Sequence, residues 1–72
     1  MDNIIIFTAD AQKTQDLAGL RAYLKPHIEA KTVVLEEKSD HIEVTCPTNY
    51  TVAFRLLMPR YGYWVSEIQE HA

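Results

Sequence analysis

Tyr50-Thr51-Val52-Ala53-Phe54-Arg55-Leu56-Leu57-Met58-Pro59-Arg60-Tyr61-Gly62-Tyr63-Trp64 is the stretch that decides the fold of this chain. It can be read as helix–turn–strand or as strand–turn–strand. As a strand, Tyr50, Val52, Phe54, Leu56 and Met58 face one way. Thr51, Ala53, Arg55 and Leu57 then face outward, and Leu57 is badly placed there. As a helix, Tyr50, Ala53, Phe54 and Leu57 form one apolar face. Thr48 or Asn49 would cap it, and Pro59 to Gly62 would stop it. Ala53, Leu56, Leu57 and Met58 favour helix, whereas Tyr50, Thr51 and Val52 favour strand. The misplaced Leu57 tips the reading to a helix over 50–58, followed by a strand over 63–69. In that strand Trp64, Ser66 and Ile68 alternate with Tyr63, Val65 and Glu67.

Working outward, Asn3–Thr8 reads as a first strand. Ile4, Ile5, Ile6 and Phe7 are continuously apolar, which predicts a central strand covered on both faces. Asp10, or Thr14, is then placed to cap a helix. Leu17, Leu20, Leu24 and Ile28 recur at helical spacing on one stripe. Pro26 has no N–H to donate, so this helix is expected to end or kink near Tyr23–Lys25. Thr32–Glu37 and His41–Cys46 read as two strands joined by the polar turn Lys38-Ser39-Asp40. In the second of them Ile42, Val44 and Cys46 face the core, and His41, Glu43 and Thr45 form a polar face.

The resulting order, β-α-β-β-α-β over a single domain of residues 1–72, resembles the split pattern of ferredoxin-like folds. That likeness implies a two-layer α+β architecture. Its sheet is mostly antiparallel with the first and third strands central, and two helices lie on one face. The alternative is one helix packed on a β-meander.

The chain has 72 residues, 47% of them apolar and 24% charged, the composition of an ordinary globular domain. A core of this size rarely supplies more than roughly 3–5 kcal/mol of net stability. Cys46 is the sole cysteine, so no internal disulfide can add to that. Self-association, as in a homodimer, or a partner surface is the expected supplement. No apolar run is long enough to span a bilayer. The absence of an export signal, together with the single thiol, predicts a reducing, cytoplasmic setting. A net charge of −3 weighs against general nucleic-acid binding. Acids crowd Glu36, Glu37, Asp40 and Glu43, which either forms an edge for a basic partner or keeps a solvated hairpin from edge-to-edge association.

No sequence motif identifies a reaction. The first strand–helix turn is Thr8-Ala9-Asp10-Ala11, without the Cys-x-x-Cys that binds soft metals. The third strand lacks the aromatics on which RNA-recognition domains stack bases. His41, Glu43 and Cys46 lack the later Pro-Cys-x-x-Cys of zinc deaminases. His27, His41 and His71 have no ligand spacing. Cys46 reads as a buried structural thiol, and no glycine-rich phosphate loop exists. The expectation is therefore a protein without enzymatic activity, cofactor or metal.

Aromatics and arginine dominate binding hot spots, and 50–64 holds five of the seven aromatics. Core packing is the simpler role for Phe54 and Trp64. With Tyr50–Met58 committed to a helix, the predicted interface narrows to Arg60, Tyr61, Tyr63 and Trp64, together with the acidic Glu36, Glu37 and Asp40. Pro59 and Gly62 would turn the chain there and bring the aromatics to the surface. The expected function is a small acidic protein-binding module. In size and character it resembles phage-encoded inhibitors, such as anti-CRISPR proteins, which occlude a host surface. The alternatives are a single-stranded nucleic-acid binder using Arg55, Arg60, Tyr61, Tyr63 and Trp64, or a homo-oligomeric ligand-sensing domain.

Overall fold

The computed structural model describes residues 2–71, His71 through its backbone alone. Strand β1 (Asp2–Ala9) leads to helix α1 (Leu17–Glu29), then β2 (Val34–Glu37) and β3 (His41–Pro47). Helix α2 (Thr51–Leu57) is flanked by the 3-10 turns Thr48–Tyr50 and Met58–Tyr61, and β4 (Tyr63–His71) closes the chain. The four strands are antiparallel in the order β2-β3-β1-β4. The ambiguous stretch is therefore helical, and the single-helix meander is excluded.

The core fills one side of the sheet. Ile5 and Phe7 of β1 and Val44 and Cys46 of β3 are fully buried beneath Leu20 and Leu24 of α1. Phe54 of α2 and Met58 of the following turn complete the same cluster. β1 is central, as its apolar run predicted, but it is not covered on both faces. Ile4 and Ile6 point to the opposite side and are only half-buried, because both helices lie over Ile5 and Phe7. Two-sided apolarity marks the strand's position without implying a second covering layer.

Helix α1 begins later than expected. Its cap is Asp16, whose Oδ1 accepts from the Gly19 N–H at 2.9 Å. Asp10 instead organises the preceding loop, its carboxylate accepting from the Gln12 N–H at 3.0 Å. A Cβ at Gly19 would lie 2.2 Å from Asp16 Oδ2, so the glycine makes room for the cap. Alanine at Gly19 should therefore give little net gain in the native chain. The propensity gain of about 1 kcal/mol is offset by a lost cap of similar size. In an Asp16→Ala background the same change should stabilise by about 1 kcal/mol. Urea unfolding of the four-member cycle checks this, and equal effects in both backgrounds would rule it out.

Pro26 sits inside α1 and does not end it. The helix continues to Glu29, held by Leu24 before the proline and the half-buried Ile28 after it. Tertiary packing here outweighs the missing backbone donor.

Strand β4 departs from simple alternation. Ile6 pairs with Glu67 and Phe7 pairs with Val65, leaving Ser66 as the extra residue of a β-bulge. Strict alternation would have put Ile68 beside Trp64 and turned Glu67 toward the helices. The bulge instead places Trp64 and Glu67 on the open face and Ile68 on the helix side.

Candidate functional site: the open sheet face

Among the described residues, no layer covers the side of the sheet away from the helices. Its residues follow from the cross-strand register. One row runs Val34, Thr45, Ile4 and Gln69, and the next Glu36, Glu43, Ile6 and Glu67. A third runs His41, Thr8 and Trp64. Val34 is 46% exposed and Trp64 58%. The surface thus combines aliphatic and indole groups with three carboxylates in one line. Such a mixture gives an apolar contact area bordered by carboxylates, of which Glu36 is engaged by Lys38 and Glu43 by His41.

The charges are ordered by local hydrogen bonds. Lys38 Nζ lies 3.1 Å from Glu36. His41 is held between Asp40, 2.6 Å from Nδ1, and Glu43, 3.0 Å from Nε2. The Gln69 amide donates to the Glu67 carboxylate. The hydrogen bonds to Glu43 and then Asp40 raise the His41 pKa above its ordinary 6.5. With both ring nitrogens engaged by carboxylates, the imidazolium is the favoured form. This contribution to stability is complete below pH 6.5 and is lost as pH rises through the raised value. Replacing Glu43 with glutamine should lower the His41 pKa toward 6.5, read by NMR titration of the ring protons. A native His41 that titrates at or below 6.5 would contradict the geometry.

The predicted interface residues do not form one patch. Trp64, Glu36 and Asp40 are exposed on the open face or its hairpin rim, and Glu37 pairs with Ile42 at the helix-side margin. Arg60 is exposed on the turn below α2. Tyr61 is half-buried, its ring 6.4 Å from that of Tyr23. Tyr63 is only 7% exposed and belongs to the core, so the turn does not bring all its aromatics to the surface. Residues 63 and 64 alternate across the pleat, and one of the two must face the helices. Phe54 is buried, as its simpler role predicted, whereas Trp64 is not in the core. The residues not anticipated are Ile4, Ile6, Val34 and Glu67, whereas Glu43 belonged to the acidic edge read from the sequence. The signal for them was present: a central strand whose second apolar face had no helix left to cover it.

Elsewhere, an open hollow of about 300 Å³ lies beside the hairpin, lined by Gln15, Lys38, Asp40, His41 and Tyr63 among others. That is the lower limit for small-molecule sites. A second hollow of about 240 Å³ lies between the helices, lined by Tyr23, His27, Tyr50, Phe54 and Leu57. Cys46 is fully buried, and burial with the nearby Asp2 pushes its thiol up to about 11. Among the described residues no group of His, Cys, Asp and Glu is arranged to hold a metal ion, and no helix is long and apolar enough to cross a membrane.

Charge is unevenly divided between the two layers. The helices and the loops at their ends carry Lys13, Arg21, Lys25, Lys31, Arg55 and Arg60 against Asp10, Asp16 and Glu29. The strands and the hairpin carry Asp2, Glu36, Glu37, Asp40, Glu43, Glu67 and Glu70 against Lys38. The net charge of −3 hides this division. Comparison of the chain with protein-family models, with curated proteins and with solved structures finds no match.

Proposed function

We propose that this chain is a non-enzymatic protein-binding module whose contact surface is the open face of its sheet. The observation that carries the reading is the uncovered side of the central strand. Ile4 and Ile6 lie there between the exposed Val34 and Trp64, crossed by Glu36, Glu43 and Glu67. A monomer gains nothing from leaving such a strip unpaired, whereas an interface gains apolar contact from it. The partner it fits is a protein surface bearing lysine or arginine among aliphatic side chains. Complementary charge would speed and orient the encounter. Phosphate-rich nucleic acid is disfavoured by the same carboxylates. In this reading the strand order resembles that of a minimal ferredoxin-like fold, which would supply a rigid platform and implies no chemistry of its own. Occlusion of a basic host surface, as phage-type inhibitors achieve it in the cytoplasm, is the biological role that suits these features.

The test is parallel capture from cell lysate with the native chain, Trp64→Ala and Glu67→Lys. Both positions are exposed, so both variants should fold. The native chain should retain a specific partner, and each variant should retain about tenfold less. A partner held equally by all three, or no specific partner, defeats the proposal.

A further inference from the structure

We infer that a second copy of this chain is an occupant of the open sheet face, docking through its α2 segment. The inference rests on the reading of the sheet face given above and names a partner for it. Helix α2, Thr51–Leu57, carries a single charged residue, Arg55. Its outward side is apolar: Val52 is 70% exposed and Leu56 72%. They are four residues apart and share one helical face, with Arg55 three residues after Val52 beside them. Arg60 is exposed on the turn that follows. A helix apolar on nearly every side is normally buried, and within one copy this one is not.

The two unpartnered faces are complementary. The sheet offers Ile4, Ile6 and Trp64 with a line of carboxylates, and α2 offers Val52 and Leu56 with arginines. Sheet-to-sheet pairing would bring Glu36, Glu43 and Glu67 against their own copies. Helix-to-helix pairing would crowd the arginines. Sheet-to-helix pairing alone satisfies both charge and apolar contact. Because the two faces differ, the contact is head-to-tail, and each added copy exposes a fresh site of both kinds. Any other protein that binds the sheet face must compete with it.

Sedimentation across concentration and salt tests this. The native chain should gain mass with concentration at low salt and lose that gain at high salt. Glu43→Lys with Glu67→Lys removes the sheet site. Arg55→Glu with Leu56→Glu removes the helix site. Arg55, Leu56 and Glu67 are exposed and Glu43 is half-buried beside His41, and circular dichroism checks that both variants fold. Each double variant alone should remain monomeric, and an equimolar mixture should form a dimer and nothing larger. A native chain that stays monomeric throughout overturns the inference, as does self-association that survives in either variant alone. Neither result bears on capture of a different partner by the sheet face, so the two readings fail separately.

Discussion

Replacing Phe7 with alanine is expected to leave most molecules unfolded at room temperature. Phe7 is fully buried on the central strand, next to Ile5 in the same strand and within one cluster with Leu20, Leu24, Phe54 and Met58. Truncating a buried phenylalanine costs about 3–5 kcal/mol, counting lost transfer energy and the residual cavity. A core of this size rarely supplies more than that amount. No disulfide is available to limit the entropy of the unfolded chain, since Cys46 is alone. The substitution therefore removes about the whole margin. Far-ultraviolet circular dichroism and urea titration measure it directly. A cooperative transition losing less than about 2 kcal/mol would show that the site collapses around the deletion or that the domain has a larger reserve.

The second large effect is expected at Gly62. This residue ends the turn after α2 with φ of 83°, a left-handed conformation that costs other residues about 1–2 kcal/mol. Space adds to the cost. A Cβ there would lie 2.5 Å from the carbonyl oxygen of Thr14 and 3.0 Å from Gln15 Cα, both backbone atoms. The neighbours cannot simply rotate away. They also form a clasp between the loop after β1 and the turn before β4. The Asp10 N–H donates to the Gly62 carbonyl at 2.8 Å, and the Asp16 N–H donates to Tyr61 at 3.0 Å. The Gln15 side chain bonds the carbonyls of Asp10, Lys13 and Gly62. Moving Thr14 aside would open this clasp and disturb the Asp16 cap. Gly62→Ala should thus lose about 2–3 kcal/mol. At this size that lowers the melting temperature by roughly 10–20 °C. A melting temperature changed by less than about 3 °C would mean that the clasp relaxes without cost.

These two positions differ in how far the sequence alone exposes them. Phe7 was identifiable because a four-residue apolar run fixes a central strand and one face of it must be core. The helical reading of 50–58 was identifiable because a strand there would have put Leu57 on the wrong face. Gly62 was readable as a stop but not as part of a clasp, since its partners lie some fifty residues earlier in the chain. Pro26 lies inside α1, the continuation that the in-phase Ile28 allowed, because Leu24 and Ile28 anchor both sides of it. Two expectations failed for reasons of packing or register. Asp16 rather than Asp10 caps the helix because the loop consumes an additional turn. Tyr63 is buried because adjacent strand residues must face opposite layers. The candidate site was the least legible part. Hairpin acids and Trp64 pointed to it, but Ile4, Ile6 and Glu67 join them only through the strand order and the displaced phase of β4.

That displaced phase bears on how any homologue would have to be aligned with the chain. Because Val65 and Glu67 already sit opposite Phe7 and Ile6, Ser66 occupies no place of its own in the pairing. A homologue one residue shorter at this point would present the same two surfaces with every other side chain unturned. A deletion within 67–70 would instead turn over the residues on one side of it. Alignments of the last strand should therefore place a gap at Ser66 and count outward from β1 partners, so that insertions and deletions elsewhere in the strand mark changed surfaces.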